Sequence, residues 1–146
     1  MYGMIVVGHG GFAKGISSSV KMIAGSPDYY IPLDFLEEES IDALPIKLQS
    51  AVDELLKETQ GVLIFTDLVG GTPFKVAYTL AHGRDDLAVI SGTNLGMLIE
   101  ASFMRMDEGS LQDLARSIVE KGKDQVIYME KIETSTAAED FGEDGI

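Results

Sequence analysis

Short, almost continuous apolar runs alternate along this chain with longer segments of helical periodicity, and this alternation limits the fold more than any other feature. The runs are centred on residues 4–7, 29–33, 62–65, 87–91 and 126–129. Between them apolar residues recur every three or four positions, as in Phe12, Ile16 and Val20. Strands that are apolar throughout are typical of a parallel sheet covered on both faces. We therefore predict a doubly wound α/β fold with a mainly parallel sheet and helices on both faces.

Capping and stop signals separate the predicted helices from the strands. Gly25 ends the first helix, and Thr72 with Pro73 forms an N-cap and first-turn pair for the third. Asn94 and Ser110 are the N-caps predicted for the last two helices. The predicted order is βαβαβαβααβ, in which residues 126–129 form the last short strand.

The length of the chain restricts the number of domains, and its charge restricts the class of partner. A chain of 146 residues fits one domain, which we predict over residues 1–130. Residues 131–146 are predicted to be a disordered acidic tail, because from Glu133 onward they hold five acidic residues and no lysine or arginine. The net charge of −13 argues against nucleic acid as a partner.

Cysteine is absent, which excludes disulfides, thiolate metal sites and cysteine nucleophiles. No stretch approaches the roughly 18 consecutive apolar residues of a membrane-spanning helix, and the first residues lack a basic leader. We expect a cytoplasmic protein. The chain holds only two histidines and matches no dinucleotide or Walker A loop, so we expect no metal and no cofactor.

Two glycine-rich loops follow strands one and three, and ligands of parallel sheets bind beyond the carboxyl ends of the strands. The first loop is Gly8-His9-Gly10-Gly11. The neutral imidazole of a histidine has one lone-pair nitrogen, which makes His9 a candidate nucleophile. A loop histidine that only bonds a neighbouring carbonyl is the alternative.

The second loop, residues 66–72, contributes a carboxylate and a turn. Asp67 could accept a hydrogen bond from one ring nitrogen of His9 and so orient the other, or it could only cap its own turn. Asp34, after strand two, is the competing carboxylate. The backbone of Gly10, Gly11, Gly71 and Thr72, with the Thr72 hydroxyl, forms a candidate phosphate-binding set at two helix N-termini.

Three ordered motifs resemble one known family. Residues 6–13 (VVGHGGFA), 61–74 (GVLIFTDLVGGTPF) and 90–98 (ISGTNLGML) are similar to the IIA domain of the mannose family of the bacterial sugar phosphotransferase system. The similarity extends over about residues 2 to 130. Many mannose-specific members have a threonine where this chain has Gly8, and a tryptophan where it has Val69.

The resemblance implies a phosphotransferase that carries a phosphoryl group on a histidine during sugar uptake. The donor is the phosphocarrier protein HPr. The acceptor is a histidine of a IIB component, here expected to be a separate protein, and the membrane IIC and IID components act indirectly. The family histidine corresponds to His9, its orienting aspartate to Asp67, and its hydroxyl residue to Thr72. The family also implies a homodimer that exchanges its last strand, which is antiparallel and corresponds to residues 126–129.

Two other functions stay open at this stage. The phosphotransfer subunit of a dihydroxyacetone kinase system has a similar fold and histidine, but its partner is an ADP-binding kinase subunit. A non-catalytic regulatory module could instead bind a small anion between the two loops. Transfer from a phosphorylated carrier distinguishes the second alternative, and the identity of the acceptor distinguishes the first.

Overall fold

A sheet of four parallel strands lies at the centre of the molecule. The computed structural model describes residues 1–132. The strand order is β2-β1-β3-β4, with every neighbouring pair parallel. In chain order the elements are β1 (Gly3–His9), α1 (Phe12–Ala24), β2 (Tyr30–Phe35), α2 (Ala43–Leu55), β3 (Val62–Thr66), α3 (Thr72–Ala81), β4 (Leu87–Ile90), α4 (Leu95–Met104) and α5 (Leu111–Lys123). The predicted doubly wound α/β fold is confirmed.

Helices cover both faces of the sheet, which explains why the inner strands are apolar throughout. Side chains of β1 alternate between the faces: Met4 and Val6 pack with α1, α4 and α5, whereas Ile5 and Val7 pack with α2 and α3. Both inner strands are buried along almost their whole length. None of the helices among residues 1–132 is both long and apolar enough to cross a bilayer.

The strand order places a crevice between β1 and β3. From β1 the chain crosses to β2 on one side, and from β3 it crosses to β4 on the other. Ligands of doubly wound sheets bind where the crossovers diverge in this way, beyond the carboxyl ends of the two strands. Val7 is in register with Thr66, so His9 and Asp67 both lie at this edge.

The predicted helix caps are largely correct. Asn94 accepts a hydrogen bond from the Met97 N–H, and Ser110 accepts one from the Asp113 N–H. The prediction for the third helix is wrong by one residue, because α3 begins at Thr72 and Gly71 is its N-cap. The Thr72 side chain therefore makes no cap bond, and its hydroxyl lies in the first turn of the helix.

The predicted last strand does not form in the single chain. A strand is stabilised by hydrogen bonds to a neighbouring strand, but residues 126–129 follow α5 after a two-residue turn and have exposed fractions of 52–79%. Exchange of this segment between two copies stays a prediction. The predicted acidic tail lies, from residue 133 onward, outside the described residues.

Candidate functional site

His9 and Asp67 are hydrogen-bonded at the crevice between β1 and β3. The His9 ring atom Nδ1 lies 2.7 Å from Asp67 Oδ2, and the His9 main-chain N–H donates to the same oxygen at 2.8 Å. An ionised carboxylate can only accept, so Nδ1 carries the proton in the neutral ring. The His9 side chain is 47% exposed and that of Asp67 only 14%. One carboxylate oxygen therefore fixes both the backbone and the ring of His9, and Nε2 is left for another molecule.

The second oxygen of Asp67 is also engaged, since Oδ1 accepts the Leu68 N–H at 2.8 Å. Burial alone raises the pKa of this carboxyl. The hydrogen bonds from the His9 main chain and ring, the charge interaction with His9, and the Leu68 N–H together outweigh that effect and lower the pKa. Asp67 is therefore ionised at neutral pH, and it can stabilise positive charge on the ring that it orients.

Asp34, the competing carboxylate, has a different contact. Its Oδ1 accepts the main-chain N–H of Lys14 at 3.0 Å, and its Oδ2 lies 4.0 Å from the Lys14 ammonium. A carboxylate at this place satisfies an N–H in the first turn of α1 and interacts favourably with the helix dipole. The structure thus pairs His9 with Asp67 and assigns Asp34 to the start of α1.

Gly71 lies against the His9 ring. A Cβ atom added to Gly71 would be 2.8 Å from His9 Cε1, closer than real side chains pack, and 3.6 Å from Nε2, an ordinary contact distance. The Cε1–Nε2 side of the ring therefore lies at the N-terminus of α3, where Gly71 is the N-cap. Gly10 and Gly70 have φ angles of +54° and +80°, which favour glycine, and they shape the two turns.

Two aromatic residues near the site were not identified from the sequence. The Phe35 ring lies 6.0 Å from the His9 ring, centroid to centroid. The Phe12 ring lies beside Gly8 and Asp67. The register of β1 with β2 pairs His9 with Phe35, so the strand order would have identified Phe35.

The predicted phosphate-binding residues differ in whether their N–H groups already donate a hydrogen bond to the protein. Gly10 donates to the Phe35 carbonyl at 2.7 Å, and Gly71 donates to the Leu68 carbonyl at 3.1 Å. Within residues 1–132, the N–H groups of Gly11 and Thr72 have no protein acceptor, and neither has the Thr72 hydroxyl. Gly11 is the N-cap of α1 and Thr72 the first residue of α3, so the unengaged donors lie at two helix N-termini.

A family model covers both loops of this site. The model for the EIIA-man family, described as the fructose IIA component of the phosphotransferase system, matches residues 3–119. The chain belongs to the EIIA-man family. As a member of that family it has a phosphocarrier role in sugar uptake, and it is a component of a phosphotransferase system.

Individual relatives of the EIIA-man family agree with this assignment. The chain is 30% identical over 138 residues to the sorbose-specific EIIA component of Lacticaseibacillus casei, covering 94% of this chain and 99% of that protein. It is 32% identical over 123 residues to the mannose-specific EIIAB component of Escherichia coli K12. That match covers 84% of this chain but only 38% of the longer relative.

Solved structures of EIIA proteins have the same fold. The EIIA component of Streptococcus agalactiae matches with a TM-score of 0.79 and 33% identity, covering 88% of this chain and 97% of that one. The mannose/sorbose-specific IIA subunit of Enterococcus faecalis matches with a TM-score of 0.79 and 27% identity, covering 92% and 98%.

Proposed function

We propose that this EIIA-man protein accepts a phosphoryl group from phosphorylated HPr on Nε2 of His9 and passes it to a histidine of a IIB component. The observation that supports this most directly is the geometry of the ring. Nδ1 is held by Asp67 at 2.7 Å, so the lone pair of the neutral ring lies on Nε2 of a side chain that is 47% exposed. A positioned, neutral imidazole with one free lone pair is a suitable nucleophile for phosphorus.

The transfer needs only one bond to form and one to break. The Nε2 lone pair forms a bond to phosphorus as the phosphorus–nitrogen bond of the donor histidine breaks, and the donor nitrogen keeps that electron pair. The Nδ1 proton stays in its hydrogen bond, so the phosphorylated ring is cationic and Asp67 stabilises its charge. The second transfer is the same exchange with a histidine of the IIB component as acceptor. Positioning and electrostatic stabilisation provide most of the catalysis in such a loose transition state.

Backbone donors at two helix N-termini would stabilise the phosphoryl oxygens. Gly11 and Thr72 have the unengaged N–H groups, and Thr72 adds its hydroxyl. Gly10 and Gly71 act differently in this proposal, because their N–H groups already bond to backbone carbonyls. Gly10 shapes its turn, and Gly71 leaves room for the ring and its phosphoryl group.

We also propose that the protein is a homodimer in which residues 126–129 pair with a second copy. Val126, Ile127 and Tyr128 are apolar or aromatic, and each is 70% or more exposed in the single chain. A run of such side chains with β propensity is costly to leave in water. Pairing with a second copy would bury these side chains and satisfy the backbone.

Labelling with phosphorylated HPr tests the phosphate acceptor. We expect the wild-type protein to acquire one acid-labile, base-stable phosphate and His9→Ala to acquire none. The chain has two histidines, so His82→Ala is a matched control that should be labelled like the wild type. Label that persists in His9→Ala would exclude His9 as the acceptor.

Transfer of the label from the phosphorylated protein to a second protein identifies the acceptor. Labelled wild-type protein mixed with a IIB component should lose its phosphate to that component. If the label instead moves only to an ADP-binding kinase subunit, the role in a dihydroxyacetone kinase system replaces the proposed one. If HPr never labels the protein, a phosphocarrier role for this site is wrong.

A further inference from the structure

We propose that Phe12 is a positioning residue for the His9–Asp67 pair, and that residues 8 and 12 form one sterically coupled unit. The inference rests on the phosphocarrier role proposed above, because it concerns the same histidine. It assigns a role to a side chain that lies beside the reacting ring without taking part in the transfer.

The geometry around Gly8 places Phe12 next to Asp67. A Cβ atom added to Gly8 would lie 2.5 Å from Cδ1 and 3.0 Å from Cγ of Phe12, and 3.1 Å from Cγ of Asp67. The Phe12 ring and the Asp67 carboxyl group therefore flank the same small space over Gly8. The ring and the carboxyl group therefore leave no room for a side chain on buried Gly8.

The position of the Phe12 ring is fixed by α1 and by the core. Phe12 is the first residue of α1, and its partly buried side chain packs against the core cluster on that face of the sheet. The start of α1 is itself held by the hydrogen bond from the Lys14 N–H to Asp34. Because the backbone of Phe12 is held by the helix and its ring by the core, the ring provides a rigid wall beside Asp67.

In this proposal the Phe12 ring contributes to the low exposure of the Asp67 carboxylate. Only 14% of the Asp67 side chain is exposed, although the His9 side chain that it bonds is 47% exposed. Water on the Gly8 side would compete for the carboxylate oxygens and loosen the bonds to His9. By excluding it, Phe12 keeps Oδ2 on the His9 ring and main chain and so keeps Nε2 in a single orientation.

Substitutions at both positions test the coupling. The set is Gly8→Ala, Phe12→Ala, the double variant and Phe12→Leu. Two matched controls accompany it: Gly15→Ala adds a Cβ atom to α1 where nothing lies within 4 Å, and Phe103→Ala removes an exposed ring. Each protein is assayed for the rate of phosphoryl transfer from phosphorylated HPr and for the ¹⁵N chemical shifts of the His9 ring at alkaline pH, where imidazoles are neutral.

We expect Phe12→Ala to slow transfer on the order of tenfold, since small misplacements of a reacting group have effects of this size or larger. Its ring nitrogens should lose the clear distinction between a protonated Nδ1 and an unprotonated Nε2. Phe12→Leu should retain more of the rate than Phe12→Ala, and both controls should match the wild type. Wild-type rate and unchanged nitrogen shifts in Phe12→Ala would overturn the positioning role.

The double variant tests whether residues 8 and 12 are sterically coupled. Gly8→Ala forces the Phe12 ring away from its place, so it should be slower than the wild type, and removal of the ring in the double variant should restore at least part of the loss. If Gly8→Ala fails to fold, recovery of folding in the double variant is the equivalent result. A double variant no better than Gly8→Ala would overturn the coupling. If the wild-type protein accepts no phosphate at all, the proposed function fails, while the ring-nitrogen shifts still decide the role of Phe12.

Discussion

At the scale of single residues, the site depends on the number of N–H groups that one carboxylate can satisfy. Asp67 accepts three: the main chain and ring of His9 on Oδ2, and the main chain of Leu68 on Oδ1. No other side-chain type of this length offers two acceptor oxygens. The identity of residue 67 is therefore restricted by the geometry of the site as well as by its charge.

Asp67→Asn tests this restriction. An amide has one oxygen, so either His9 or Leu68 must face an NH₂ group, and the negative charge beside the phosphorylated ring is lost. A hydrogen bond to a charged group contributes about 1.5–3 kcal/mol, so we expect transfer from phosphorylated HPr to slow by roughly ten- to a hundredfold. Asp34→Asn is the matched control, and its transfer rate should stay near that of the wild type. Equal rates in both variants would reduce Asp67 to a turn residue.

Gly71→Ala tests the space beside the ring. The added methyl group would overlap His9 Cε1, so the ring must move away from the N-terminus of α3. We expect at least a tenfold slower transfer. Gly15→Ala adds the same methyl group to α1 where nothing lies within 4 Å, and Gly15 is not one of the proposed phosphate-binding residues, so it should transfer at a rate close to the wild type. Rapid kinetic labelling of the two variants provides the comparison.

The sequence could identify His9 but not which carboxylate it bonds. Asp34 lies near the end of β2 and Asp67 follows β3, the two strands that flank β1, so both are candidates until the contacts are known. The Lys14 N–H engages Asp34, and this contact depends on the angle at which α1 leaves the sheet. The packing of Gly71 against the ring and of Phe12 beside Gly8 likewise depends on distances between elements far apart in the chain, which local patterns do not contain.

At the scale of secondary-structure elements, the ends of α4 and α5 are joined by one side chain. Asn94 caps α4 by accepting the Met97 N–H at 2.9 Å, and its amide nitrogen donates to the Gly122 carbonyl near the end of α5, also at 2.9 Å. Gly122 is packed so closely against Met97 that a Cβ atom would overlap it. The N-cap was predictable from sequence because capping is local, whereas the bond to Gly122 was not.

Substitutions of Asn94 measure separately what the cap bond and the bond to Gly122 contribute to stability. Asn94→Ala removes both, and loss of the cap alone costs about 1 kcal/mol, so the free energy of unfolding should fall by at least that amount. Asn94→Asp keeps the acceptor of the cap but removes the donor to Gly122, and it should be less destabilised than Asn94→Ala. Urea denaturation measures both. If the two variants lose the same amount, the cap contributes little to the stability of α4.

At the scale of the whole molecule, residues 126–129 show a limit of predicting secondary structure from sequence. Their composition predicted a strand, and residues 1–132 of the single chain give them no strand partner. Local propensity indicates what a segment can form, but contacts with a neighbouring strand decide whether it forms. The charge of −13 belongs to this scale too, since it favours association with basic protein surfaces over long distances.

The homodimer is tested by one substitution in that segment. Ile127→Asp places a charge on a face that the dimer would bury, so its mass in solution by light scattering should fall from two chains to one. Ile46→Asp is matched in residue type and exposure, with 72% exposed against 70% for Ile127, and it should leave the dimer intact. A wild-type protein with the mass of one chain would contradict the proposed dimer.

The two hydrogen bonds from His9 to Asp67 have a consequence for the order in which partner proteins can bind. A ring with one orientation and one reachable nitrogen can be approached from one side only. Under the proposed function, the protein that donates the phosphoryl group and the protein that accepts it would therefore bind the same surface in turn, and each would exclude the other while it is bound. At saturating concentrations, the exchange of these two proteins at the site would then limit the rate, and an excess of unphosphorylated donor or of phosphorylated acceptor would slow the transfer.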